Sequence, residues 1–139
     1  MINFIGCAAV DCKGRCAAAT SAGGLMNKMA GRIGDSPVIG AGTYACELCG
    51  VSCTGGGEAV LLAMPAREVA VVMEYNGLSL QEAVDYAMKG RLDEGMAGLI
   101  AVSREGEVAY GLNCAGMFRG YATEDGTVKV GIWDEMLTL

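Results

Sequence analysis

In the stretch GRIGDSP, residues 31–37, a cation and an anion stand three positions apart: Arg32 and Asp35. Gly31, Gly34 and Pro37 keep the backbone around them tight and irregular. Opposite charges held this way can neutralise each other at the surface. They can also grip a zwitterion, the guanidinium taking a carboxylate bidentately and the aspartate taking an ammonium. A second stretch, SCTGGGE (residues 52–58), is a tight glycine turn that runs into Glu58. The chain has no histidine, which removes the usual neutral-pH general base and, with it, Ser-His and Cys-His nucleophile pairs. Any hydrolysis here needs another base.

The seven cysteines form no even-numbered disulfide framework. CELC, Cys46 to Cys49, has CxxC spacing, but without a second CxxC or a histidine a closed zinc site lacks ligands. No thioredoxin-like context surrounds it. The expectation is therefore buried, reduced thiols in a cytoplasmic protein, with no metal and no cofactor.

The elements that must position these residues belong to a chain of 139 residues, 53% apolar and 19% charged, which suits one domain spanning 1–139. A net charge of −6 and scattered basic residues argue against nucleic-acid binding, which needs cationic surface. No apolar run reaches the roughly 18 residues of a membrane span, and MINFIGCAAV carries no basic leader, so neither a signal peptide nor a membrane anchor is expected. FIGCAAVD, CKG and RCAAATS read as a β-hairpin. Residues 22–43, rich in glycine, read as a long functional loop. LCGVSC (48–53) reads as a strand, and a nearly all-apolar helix follows over about 58–75, kinked or divided by Pro65. SLQEAVDYAMKG opens with a capping-box pattern, Ser79 and Glu82, and closes at Gly90. GLIAVS and VAYGLNC form a second hairpin, and TVKVGIW is a last strand. The order predicts an α+β fold, an antiparallel sheet with two helices on one face, and small apolar residues leave the other face wanting a second layer.

AVDCKGRCAAATSAGGLMNKMAGRIGDSPVIGAGTYA, VSCTGGGEA, GLSLQEAVDYAMKGRLDEGMAGLIAVS and GMFRGYATEDG together closely resemble the β-subunit of plant-type isoaspartyl peptidase/L-asparaginases of the potassium-dependent kind, from about Ile5 to Trp133. These are N-terminal-nucleophile hydrolases. The resemblance implies a four-layer αββα sandwich of which this chain is the β half, and a terminal threonine whose own amine is the base. It also implies roles: Arg32 for the substrate α-carboxylate, Asp35 for the α-amine, Thr54 and the Gly55 amide for the oxyanion hole, Gly57 for holding the amine, and Glu58 for supporting the arginine.

The pattern breaks at two positions. FIGC aligns Phe4 with the nucleophile, behind Met1, Ile2 and Asn3, and TSAGG places Ala22 where a second active-site threonine belongs. Phenylalanine has no nucleophilic atom, and loss of the nucleophile removes nearly all rate. Cys7 lies within a strand without a free amine and is no replacement. The helix AVLLAMPAREVA is more apolar than the resemblance implies, which expects a positive charge near Leu62. The expectation is a pseudoenzyme or redesigned half-protein that self-associates as a C2 homodimer and retains a site for L-aspartate or L-asparagine. The alternative is an active β-chain supplied with a separate asparaginase α-subunit.

Overall fold

The computed structural model of the chain describes residues 4–90, 92, 94–95 and 97–139. Met1, Ile2 and Asn3, invoked above, lie outside the described residues.

β1 (Phe4–Val10) and β2 (Cys16–Ala22) form the expected antiparallel hairpin, in register from Phe4↔Ala22 to Val10↔Cys16. Its turn is held by the Asp11 carboxylate, which accepts from the Lys13 and Arg15 amides at 2.9 Å each. After the long loop come β3 (Thr43–Ala45) and β4 (Cys49–Gly55), then α1 (Gly57–Ala63), α2 (Pro65–Asn76) and α3 (Leu80–Gly90). β5 (Ala97–Ser103), β6 (Val108–Leu112), β7 (Arg119–Ala122), β8 (Val128–Gly131) and β9 (Met136–Thr138) complete the chain.

Pro65 divides the helix. Met64, at φ 52°, ends α1 in the left-handed region, and Pro65 takes the first position of α2, where its missing N–H costs nothing. The Ser79 box forms in part. Glu82 reaches back to accept from the Ser79 amide at 3.0 Å, and the Ser79 hydroxyl donates to the same oxygen at 2.7 Å.

Alternation in β4 and β5 sets the layers. Cys49, Val51, Cys53, Ala97, Leu99 and Ala101 point to one side and share a core with Val60, Ala66, Val69, Leu80, Ala83 and Val84 of the helices. Gly50 and Ser52 point to the other side, against the β1–β2 hairpin. A Cβ on Gly6 would overlap the Ser52 hydroxyl, and one on Gly50 would come within 2.8 Å of the Ala17 carbonyl oxygen.

The helices do lie on one face, but the strands do not form one sheet. β3-β4-β5-β6 is a four-stranded antiparallel meander, β1–β2 is a separate two-stranded layer over it, and β7-β8-β9 is a third small sheet. Glycine and alanine at the stacking positions allow the hairpin to lie on the meander instead of joining its edge. The bare face is therefore the outside of the hairpin, where Ile5, Cys7, Ala9, Ala17, Ala19 and Ser21 are all exposed. The thiols also differ from expectation: only Cys49 and Cys53 are buried, while Cys7 and Cys12 are exposed and Cys16, Cys46 and Cys114 half-buried. No described helix is long and apolar enough to cross a membrane.

Candidate active site

One end of the hairpin, the end of β4, the start of α1 and the glycine-rich loop meet around a cleft of about 630 Å³. Phe4, Ala22, Arg32, Asp35, Thr54, Gly55 and Gly57 all line it. The two departures from the family pattern face each other there, because Phe4 and Ala22 are paired in the hairpin register.

Thr54 and Gly55 are the last residues of β4. Gly55 has φ 143°, a backbone conformation closed to residues with a Cβ, and this turns the chain from the strand into α1. Gly57 is buried at the first turn of α1 for a different reason. A Cβ there would lie 2.8 Å from Arg32 Nη2 and 3.0 Å from Asp35 Oδ1. The guanidinium and the carboxylate thus flank a single point, and only a hydrogen fits between them and the helix.

The partner of Arg32 is Glu58. Arg32 Nε donates to Oε1 at 2.6 Å and Nη2 to Oε2 at 2.8 Å. This fork-to-fork pair holds the guanidinium plane and leaves Nη1 without a protein acceptor among the described residues. The Glu58 hydrogen bond raises the arginine further, and the same bond holds Glu58 below the usual carboxylate range.

Asp35 is buried, 5% exposed, and its Oδ2 has no hydrogen-bond partner among the described residues. Burial pushes its carboxyl above the ordinary value, against the pull of its backbone hydrogen bond and the nearby Arg32 charge. Its carbonyl accepts from the Val38 and Gly42 amides at 2.9 and 3.2 Å, which locks the loop. A buried carboxylate oxygen lacking a donor is costly; Oδ2 is packed on the Gly42 side, and Oδ1 is the oxygen that faces Gly57.

The cleft also contains residues that the sequence reading passed over. Lys28 lines it and donates to the Gly23 carbonyl at 3.0 Å. Beneath it Thr20 Oγ1 lies 2.6 Å from Ser52 Oγ and donates to the Gly42 carbonyl at 2.9 Å, tying hairpin, meander and loop together. Their signal was the inward phase of the β2 and β4 alternation. Among the described residues, no group of three or more Cys, Asp or Glu side chains is arranged to hold a metal ion.

A family model described as asparaginase matches residues 2–132. The chain belongs to the asparaginase family. It is 70% identical over 130 residues to a probable isoaspartyl peptidase/L-asparaginase of Arabidopsis thaliana, covering 94% of this chain and 40% of that relative. It is 45% identical over 137 residues to the isoaspartyl peptidase of Escherichia coli, covering 96% and 43%. The human isoaspartyl peptidase/L-asparaginase is 46% identical over 110 residues, covering 76% and 35%. This asparaginase-family chain spans about two fifths of the length of the first two relatives.

Proposed function

We propose that this chain is the β-type half of an isoaspartyl peptidase/L-asparaginase sandwich that keeps the substrate grip and lacks the nucleophile. The observation that carries the reading is the Arg32–Gly57–Asp35 arrangement. Arg32 Nη2 and Asp35 Oδ1 converge on Gly57, and the Glu58 anchor holds the guanidinium plane while leaving Nη1 to spare. That pair complements the carboxylate and ammonium of an α-amino acid, with the L-aspartyl unit as the head group. The Thr54 hydroxyl and the Gly55 amide, at the end of β4, are the oxyanion donors in this reading. Glu58 is a positioning residue that acts through Arg32. With Phe4 and Ala22 across from each other, no hydroxyl occupies either of the two hairpin positions where the resemblance expects one.

The exposed apolar outside of β1–β2 supports a missing layer. A second copy of the chain can cover it as a C2 homodimer, hairpin face to hairpin face, and this is the favoured partner. An asparaginase α-subunit is the other, and the intact Arg32–Glu58 pair favours that second reading, an active β-chain awaiting its α half. Light scattering combined with an ammonia-release assay on L-asparagine separates them. The first reading expects a dimer without ammonia release, alone or with an α-type half. Ammonia release that depends on the α half and disappears in Arg32→Ala would establish the second.

A further inference from the structure

Cys46 and Cys49 lie outside the cleft, at the turn joining β3 to β4. The Cys46 amide donates to the Cys49 carbonyl at 2.9 Å, one step beyond the Ala45↔Gly50 pair of the β3–β4 register. Residues facing across such a bond have Cα atoms about 5.5 Å apart and side chains on one face. Disulfides are built at Cα separations of about 4.4–6.8 Å and Cβ separations of about 3.5–4.5 Å. The Cα spacing fits, and the Cβ atoms of a hydrogen-bonded pair, about 5.5 Å apart, must draw together by about 1 Å as the link closes. The Leu48 amide donates to Cys46 Sγ at 3.4 Å and holds that sulfur in place. Cys46 is half-buried and Cys49 fully buried, so one thiol of the pair is accessible and one is not. Cys46 and Cys16 line a solvent-open groove of about 440 Å³ with Lys13, Arg15, Glu47 and Arg104.

We propose that Cys46 and Cys49 are a reversible redox site, closing a disulfide by exchange with a low-molecular-weight disulfide that enters the groove beside Cys46. Arg15 is paired with Asp11 and Arg104 with Glu105, and Glu47 sets a carboxylate among the groove's cations, so the co-reactant is defined by its sulfur chemistry. In the first step the Cys46 thiolate attacks one sulfur of the co-reactant. A protein mixed disulfide forms, and one small thiolate leaves and takes up a proton. In the second step Cys49 gives its proton to solvent and attacks Cys46 Sγ. The mixed disulfide breaks, and the second small thiol leaves. Two protein thiols are oxidised and one small disulfide is reduced to two thiols.

The steps differ in speed. Burial, and then the neighbouring Cys46, push the Cys49 thiol up to about 12. Its thiolate is scarce at neutral pH, so ring closure is slow there and quickens roughly tenfold per pH unit below that value. The mixed disulfide at Cys46 accumulates first and then converts.

The test treats the full chain with oxidised glutathione at several pH values, blocks free thiols with an alkylating agent, and follows intact mass and proteolytic peptides. The expected product is a Cys46–Cys49 link with the loss of two hydrogens. It is preceded by glutathione on Cys46, forms faster as pH rises, and is reversed by dithiothreitol. Cys46→Ser, at a half-exposed position, should abolish the link, and Cys49→Ala should leave the mixed disulfide at Cys46 unresolved. A link through Cys16, a mixed disulfide that never closes even at high pH, or a Cys46 that does not react would each overturn the proposal.

Discussion

Replacing Gly57 by alanine puts a methyl group where the cation and the anion of the cleft converge. The new Cβ would lie 2.8 Å from Arg32 Nη2, 3.0 Å from Asp35 Oδ1 and 3.4 Å from the Asp35 amide. The guanidinium is the movable neighbour, but it can retreat only by loosening its two bonds to Glu58, at 2.6 and 2.8 Å. The Asp35 main chain is fixed, because its carbonyl is held by two amides, and its carboxylate is packed against Gly42 on the other side. Overpacking of this kind costs about 1–3 kcal/mol. At about 1.4 kcal/mol per factor of ten, L-aspartate binding weakens roughly five- to hundredfold. The fold suffers less, since alanine is better than glycine in a helix by about 1 kcal/mol. Calorimetric titration with L-aspartate, beside urea unfolding of the same samples, checks both. An affinity within twofold of the parent's, with the fold intact, would refute the reasoning that Gly57 spaces the pair.

Asp35→Asn, which removes the charge that burial disfavours, should raise stability at neutral pH and abolish L-aspartate binding; urea unfolding and calorimetry report the two effects. The raised Asp35 carboxyl also sets a pH dependence. Between its folded value and the ordinary 3.8, the folded state keeps a proton that the unfolded chain has released. This contribution to stability therefore rises as pH falls through that window, while aspartate binding is lost over the same range. A binding curve that falls only at or below 3.8 would contradict this. Leu99→Ala, at a side chain 1% exposed, should cost about 2–5 kcal/mol in urea unfolding. Ile5→Asp, on the outer hairpin face at 72% exposure, should leave the monomer fold intact and convert a dimer to monomer in light scattering.

The parts of this fold that were legible in the sequence are those set by local chemistry. Pro65 had to kink or divide its helix, Ser79 and Glu82 had to meet across one turn, and the CKG turn had to bend β1 onto β2. The GRIGDSP loop could be read as holding fixed charges, but Arg32 finds its anchor at Glu58, 26 positions along the chain, a contact no local pattern encodes. The layering was hidden for a related reason. The small residues that let the hairpin lie flat on the meander read equally well as a strand joining its edge. β3 and β9, at three residues each, and β7, at four, are too short for period-two alternation to register. The thiols were read as buried because cysteine usually is, but alternation along β1 turns Cys7 outward while Gly6 and Ala8 face in.

Titrating the chain with L-asparagine in a calorimeter tests the central claim most directly, because grip and chemistry leave different traces. Binding alone gives heats that saturate and return to baseline after every injection, whereas turnover gives heat that continues until the amide is consumed. The account predicts a saturating, single-site isotherm without continuing heat, lost in Arg32→Ala. Continuing heat would contradict the missing nucleophile, and a flat trace would contradict the retained grip.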